Sequence, residues 1–342
     1  MIATSPQARQ LEPRTWQQEL AEAITHPEEL AAALGLSPRA LAGADAAGRH
    51  FRLRVPRSFV ARMRPGDLED PLLRQVLPAA AELVGEAAYV DDPVGERDAL
   101  RARGLLQKYR GRALLVTTAA CAVHCRYCFR REFPYAEHSG GEEAARWSEA
   151  LAEIQADTSL EEIILSGGDP LSLSNARLAS LTRALAAIPH VRRIRVHTRQ
   201  PVVLPSRVDE GLLQWLRTAA LPTVLVLHVN HPNELDAAVA AACGRLRATG
   251  VTLLNQSVLL AGVNDDVDVL AHLSQRLFDA GVLPYYLHAL DRVRGAAHFA
   301  VPDERARSLV GQLAARLPGY LVPRLVREVP GAPAKVTLGP VF

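Results

Sequence analysis

Cysteine and lysine are both scarce in this 342-residue chain. It has four cysteines, and only two of its 39 basic side chains are lysines, Lys108 and Lys335. Four unevenly spaced cysteines exclude the disulfide framework of a small secreted domain. An excess of one charge is also missing. The formal net charge is +2, which gives no argument for binding nucleic acid or an anionic membrane. No apolar run approaches a membrane span, and the opening "MIATSPQARQ" lacks the apolar core of a signal segment. A soluble, cytoplasmic protein is expected. Apolar residues make up 49%, enough for a large core.

Residues 1–105 read as a mainly helical N-terminal region. Thr15-Trp16-Gln17-Gln18 and Thr25-His26-Pro27-Glu28 have the form of capping boxes, and helical spacing continues through "DLEDPLLRQVLPAAAELV". The stretch "DDPVGERDALRARG" reads as its exit. Beyond residue 112 the texture changes. Short strand-like runs, "RALLVT", "EEIILS", "RIRVHT", "TVLVLHVN", "VTLLNQSVLL" and "LPYYLH", alternate with amphipathic stretches near 142–156, 174–187, 208–219, 233–248, 266–280 and 303–317. Six such repeats predict a parallel sheet with right-handed crossovers, two units short of an eight-stranded barrel. A partial, open (βα)6 TIM-like barrel over 106–317 is the expectation, followed by a segment 318–342; a flat doubly wound sheet is the alternative. The strand ends carry the chemistry-bearing residues: Ser166-Gly167-Gly168-Asp169, His197-Thr198-Arg199, His228 and Asn230, Gln256, His288 and Asp291. Chemistry in parallel α/β folds collects at those ends.

Three of the four cysteines, Cys121, Cys125 and Cys128, fall within "TAACAVHCRYCFRREF". A structural zinc wants four closed ligands. His124 is the one other donor nearby, crowded between two of the thiols, and no second cysteine pair exists. Three thiolates spaced C-x3-C-x2-C suit a [4Fe–4S] cluster with one iron left open for substrate or cofactor. An odd zinc loop or three buried thiols is the plainer alternative.

This spacing, with Tyr127 before the last cysteine, resembles the radical S-adenosylmethionine (SAM) superfamily. There the open iron chelates SAM, and one-electron reduction releases a 5′-deoxyadenosyl radical. "SGGDP", Ser166 to Asp169 with Pro170, is similar to that superfamily's SAM-binding segment. "CRYCFRREF", "SGGDP", "HTRQPVVLPSR", "HVNHPNEL", "NQSVLLAGVND" and "PYYLHALD" together resemble the lysine 2,3-aminomutase family from about residue 105 to 338. The opening "ITHPEELAAALGL" and the short tail are most like the branch that supplies β-lysine for modifying elongation factor P.

The resemblance implies a 2,3-aminomutase, an isomerase using the [4Fe–4S] cluster, SAM and pyridoxal 5′-phosphate (PLP). It would convert L-lysine to (R)-β-lysine, take electrons from a flavodoxin or ferredoxin, and serve elongation factor P through a separate ligase. Lys335 aligns with the lysine that holds PLP as a Schiff base, which arginine cannot form. Lys108 and Arg112 match positions near PLP's phosphate, and His228 and Gln256 match positions near its ring. Arg130 matches the arginine for the substrate carboxylate, with Arg131 its neighbouring competitor. Asp291 and Glu328 match the acids for a substrate ammonium, the second usually being Asp. The family's longer members hold a C-terminal zinc on cysteines; here no cysteine follows Cys243, so no zinc is expected, and Cys243 reads as a small buried hydrophobe. An aminomutase for another amino acid such as glutamate, or a non-catalytic iron–sulfur sensor, are the alternatives. Oligomeric state, a homo-oligomer included, is left open.

Overall fold

The computed structural model describes residues 15–37, 41–135 and 147–342. Ten strands form one sheet in chain order: β1 Leu100–Ala102, β2 Leu105–Tyr109, β3 Arg112–Thr118, β4 Glu162–Gly167, β5 Arg193–Thr198, β6 Thr223–His228, β7 Thr252–Val258, β8 Leu283–His288, β9 Arg324–Arg327 and β10 Val336–Thr337. β3 to β9 run parallel, while β1, β2 and β10 are antiparallel additions at the two edges. The six anticipated strands are β3 to β8. Helices Ser148–Ala156, Asn175–Ala186, Glu210–Arg217, Ala237–Arg247, Val267–Asp279 and Asp303–Arg316 follow the strands as the spacing predicts. Residues 142–146 of the first expected helix lie outside the described residues.

Alternation along the strands shows why the sheet curls. On β4, Ile163 and Leu165 enter the core under the helices, whereas Glu162, Ile164 and Ser166 face the interior of the curve. On β5, Ile194 and Val196 face the helices, and Arg193, Arg195 and His197 face inward. A strand has a side-chain period of two, so one face of each is apolar and the other chemically mixed. Residues from β2 through β9, with Lys335 just before β10, line one cavity of about 720 Å³. A flat doubly wound sheet has no such common interior, so the architecture is a partial, TIM-like barrel with open edges.

The N-terminal region departs from its expected outline. Thr15 caps helix Trp16–Ala21 in a reciprocal box with Gln18, as the pattern predicts. Thr25 does not cap the next helix. That helix spans Pro27–Leu34 with His26 as N-cap and no side-chain cap bond. Proline fits the first helical position because its missing N–H is unpaired there anyway, and the Thr25 hydroxyl instead meets the His26 ring at 3.1 Å. The stretch "DLEDPLLRQVLPAAAELV" breaks at Pro71 and Pro78 into short turns, Pro71–Arg74 and the 3-10 turn Ala80–Leu83. Phe59, Leu72, Leu73 and Val76 then pack against Ala122, Val123, Val203 and Leu204, beneath the cysteine loop. Among the described residues, no helix is long and apolar enough to cross a membrane.

Candidate active site

The cavity has a cysteine end and a lysine end. Cys121, Cys125 and Cys128 are free, half-buried thiols on the loop after β3, and Cys125 and Cys128 line the cavity. The loop's seat is made by two glycines. Gly167 has φ 116°, and a Cβ there would lie 2.6 Å from the Thr118 carbonyl; a Cβ on Gly168 would collide with the Ala120 carbonyl. These glycines press the end of β4 against the root of the cysteine loop. Asp169 locks the same corner. It is buried and accepts from Leu171 N at 3.0 Å, Thr198 Oγ1 at 2.7 Å, Arg199 N at 2.7 Å and Gln200 N at 3.0 Å. Of this quartet, Ser166 alone faces the cavity.

His124 points away from the thiols' cavity. Its Nδ1 meets the Arg52 carbonyl at 2.8 Å, and its ring packs on Phe51. Among the described residues no three His, Cys, Asp or Glu side chains converge on a point where one metal ion could sit. Thiols spread round a loop suit the separate corners of an iron–sulfur cluster better than the closed shell of one zinc ion. Burial pushes the Cys121 and Cys128 thiols up, the latter to about 11, so cluster assembly would displace their protons.

Arg130 and Arg131 are separated by the loop's geometry. Arg130 lines the cavity and is buried. Its Nε and Nη2 form a bidentate pair with Glu96 at 2.8 and 2.7 Å, and Nη1 donates to Ser166 Oγ at 2.9 Å and to the Gly167 carbonyl at 3.2 Å. Arg131 turns to Glu82 at 2.8 Å, outside the cavity wall. His228 lies midway, at the end of β6, with its Nε2 2.9 Å from the Tyr127 hydroxyl and its ring stacked on that phenol. Parallel pairing sets Gln256 of β7 beside it. Burial, then the charge of Arg199, holds His228 well below the usual imidazole range.

At the other end, Lys335 stands just before β10 and forms an ion pair with Glu328, the residue after β9. Glu328 also receives Lys108 at 3.4 Å and the Tyr109 hydroxyl at 2.7 Å, both from β2. Burial alone would push Glu328 up; the two lysines and the Tyr109 bond hold it down, to about 2. Asp291 shares this end without an ion pair or side-chain hydrogen bond among the described residues. Burial pushes it up to about 7, against the pull of Lys335. His288 is pushed down to about 3 by burial and then by Lys335, and His197 falls well below its usual value, chiefly from burial. The Nε2 atoms of both histidines are buried without a partner among the described residues. Arg112 lines the same space with its guanidinium 4.6 Å from the Tyr109 ring centre, and no acid pairs with it among the described residues.

All the sequence-predicted site residues except Cys121, Gly167, Gly168 and Asp169 therefore line one cavity, and those four lie at the ends of β3 and β4 outside its lining. Glu96 and Tyr109 were missed, as were Gln75 and Glu234, a buried pair joined at 3.2 Å that reaches the Tyr127 hydroxyl through Gln75 at 3.3 Å. Glu96 stands in "GERD", which reads as a solvated linker, and Gln75 in a helical pattern reads as surface.

The radical SAM superfamily model matches residues 115–273. An L-lysine 2,3-aminomutase of Escherichia coli is 48% identical over 94% of this chain and 94% of its own length. One from Haemophilus influenzae is 45% identical over 95% of each. The chain belongs to the lysine 2,3-aminomutase family. A longer member of that family, from Clostridium subterminale, is 34% identical over 96% of this chain and 78% of its own. Among solved structures, a radical SAM methyltransferase from Sphaerobacter thermophilus is 22% identical over 65% of this chain and 68% of that one, with a TM-score of 0.45. Membership of the radical SAM superfamily implies a [4Fe–4S] cluster and SAM, and the three-thiol donor set fits such a cluster. The lysine end fits an anionic, carbonyl-bearing cofactor: the amines of Lys335 and Lys108, the imidazoles of His197 and His288, and Arg112, which no acid pairs among the described residues, line one space.

Proposed function

We propose that the protein is a cytoplasmic, PLP-dependent lysine 2,3-aminomutase that moves the α-amino group of L-lysine to the β-carbon, giving (R)-β-lysine for elongation factor P. One observation carries the reading: Lys335, Glu328 and Asp291 share a single cavity of about 720 Å³ with Cys125 and Cys128. When bound, the cluster with SAM would supply a radical that takes the β-hydrogen, and PLP the unsaturated bond through which nitrogen migrates.

Cys121, Cys125 and Cys128 would hold the cluster, and Ser166 with the Gly167–Gly168–Asp169 corner would shape the SAM side. Lys335 would hold PLP, with Lys108 and Arg112 toward its phosphate and His228 and Gln256 beside its ring. Arg130 has its donors turned to Glu96 and Ser166, so reading the substrate carboxylate requires it to share or exchange those bonds. Asp291 and Glu328 would receive the ε-ammonium. Glu328 already holds an ammonium, that of Lys335, which supports its selectivity for that group. An ionised carboxylate in this interior is costly without a cation beside it, so Asp291, which has no ion pair among the described residues, also favours a cationic substrate. A glutamate-specific site would want a cation or a neutral group in both places. With cofactors and substrate in place, the barrel interior would keep water and stray hydrogen donors from a radical.

The flavodoxin or ferredoxin reductant and the link to elongation factor P rest on resemblance to the β-lysine-supplying branch. The division into a helical region 1–105, a barrel 106–317 and a PLP-lysine segment 318–342 is part of the same proposal. The test is anaerobic assay of reconstituted protein with SAM, PLP, dithionite and either lysine or glutamate. β-Lysine is expected; β-glutamate, or no β-amino acid from either, overturns the reading. Intact-mass measurement of elongation factor P in a deletion strain tests its destination, and an unchanged β-lysyl modification rules that out where no second aminomutase is encoded.

A further inference from the structure

The lysine-end chemistry makes no use of Arg199, yet its guanidinium makes four side-chain hydrogen bonds beside the cysteine loop. It follows β5 directly and is buried. Its Nη1 lies 2.8 Å from Cys125 Sγ and 2.7 Å from the Tyr127 hydroxyl. Its Nη2 donates to Gln75 Oε1 at 2.6 Å and to Glu234 Oε2 at 2.9 Å. Glu234 is fully buried and is itself held by the backbone N–H groups of Asn230 and His231 and by Gln75 Nε2. The guanidinium is therefore fixed from behind and directed at one sulfur. Among the described residues, Cys125 is the one loop thiol that a charged side chain hydrogen-bonds.

We propose that Arg199 is a positioning residue that sets the reduction potential of the iron–sulfur cluster through its hydrogen bond to Cys125. This rests on the reading that Cys125 is a cluster ligand. Gaining one electron raises the negative charge on the ligand sulfurs. A donated N–H and a nearby cation stabilise that charge more in the reduced cluster than in the oxidised one, so they raise the potential. Burial keeps water from screening the effect. Glu234 opposes it, because an anion behind the arginine disfavours the reduced state. The pair is neutral overall but oriented, with its positive end on the sulfur. Gln75 comes from the N-terminal region, so that region helps to hold the arginine that tunes the cluster.

The experiment is an anaerobic redox titration of reconstituted holoprotein with dithionite, followed by electron paramagnetic resonance, alongside iron and sulfide analysis. Arg199→Gln should lower the midpoint so that the reduced fraction at a fixed potential falls about tenfold, about 59 mV for a one-electron couple. Glu234→Gln should move it the opposite way. Arg199→Lys keeps the charge without the fork and should fall between wild type and Arg199→Gln; it carries the test if the glutamine variant does not hold a cluster. A midpoint unchanged in an arginine variant that retains full iron overturns the proposal, as does a Glu234→Gln shift in the same direction. A full cluster retained in Cys125→Ala overturns both this proposal and the ligand assignment beneath it. An unmoved midpoint with Cys125 still required overturns this one alone.

Discussion

Four arginines surround the cysteine loop, and each is set against a carboxylate: Arg126 and Arg131 on Glu82, Arg130 on Glu96, Arg199 on Glu234. At the lysine end the accounts are uneven. Lys108 and Lys335 share one acid, Glu328, while among the described residues Asp291 has no ion pair and the Nε2 atoms of His197 and His288 no hydrogen-bond partner. Buried charges are tolerated only when paired, and buried polar atoms only when bonded. The cysteine end pairs the charge of each of these arginines with its own side chains, although Arg131 Nε and Arg199 Nε are buried without a hydrogen bond, so its charges act as scaffold. The lysine end leaves Asp291 without an ion pair among the described residues, so a ligand would complete it. The same rule thus separates the part of the cavity that holds from the part that receives.

The strongest way to break this contrast is to remove the amine. Lys335→Ala should abolish the borohydride-fixed pyridoxyl label and drop β-lysine formation to background, with iron content unchanged. Peptide mapping that places the label on Lys108 would reverse the roles of the two lysines.

The next tests whether the cysteine end is sealed. Arg130→Met strands Glu96 in the interior and should cost about 3–5 kcal/mol in urea unfolding, as for a broken buried pair. Adding Glu96→Gln should recover much of that. If Arg130→Met instead leaves stability near wild type and raises the KM for lysine, Arg130 belongs with the receiving groups, and Glu96 is only its resting partner.

What the sequence made legible follows the same division. β3 to β8 were readable because β-branched and aliphatic runs recur between amphipathic helices. β1, β2 and β9 were not. "LRARGLLQKY" is basic and broken by Gly104, and "RLVR" is four residues long, so both lack an apolar run. Rare residue types stood out: the clustered cysteines and Lys335 in a chain that otherwise uses arginine. Common polar types did not. Glu96, Gln75 and Glu234 are indistinguishable in sequence from solvated surface residues, and only the folded chain brings them against arginines 34, 124 and 35 positions away. The Thr25 cap failed for a local reason, since Pro27 moved the helix start by one residue.

Asp291 sharpens the contrast through pH. Its folded carboxyl is raised to about 7 from an ordinary value of 3.8. Between those values the folded state keeps a proton that the unfolded state has lost, so this group's contribution to stability falls as pH rises from about 4 to about 7. His288 acts in the reverse sense. Depressed to about 3, it favours folding more as pH rises through the same range up to 6.5. The two largely cancel in the wild type. Asp291→Asn removes one of them, so the variant should gain stability over wild type as pH rises, reaching on the order of 2 kcal/mol by pH 7 once cavity water is allowed for. The same variant should lose at least about tenfold in kcat/KM for lysine, the 1.4 kcal/mol scale of a single charged contact. A stability difference that is constant from pH 4 to pH 7 would mean Asp291 ionises freely and is no receiver of charge.

The smallest expected effect lies at the seam between the two edges of the open barrel. β2 and β9 are not hydrogen-bonded to each other in the sheet, yet Lys108 and Tyr109 from one edge both meet Glu328 at the other. Tyr109→Phe removes a 2.7 Å bond to an ionised acceptor but leaves Glu328 its two lysines, and the ring face under Arg112 is kept. The cost should therefore be about 1 kcal/mol, the scale of an ordinary hydrogen bond, because the two lysines still neutralise the acceptor. It should also depend on pH in a particular direction. Glu328 is held to about 2 in the folded state against 4.5 ordinarily, so its contribution is whole above 4.5 and is lost as pH falls through about 2. The difference between wild type and Tyr109→Phe, measured by urea unfolding at pH 7, 4 and 2.5, should shrink toward the acid end. A difference that persists undiminished at pH 2.5 would show that the hydroxyl works through something other than Glu328. The seam would then be closed by packing alone, and Glu328 would be left wholly to the receiving end.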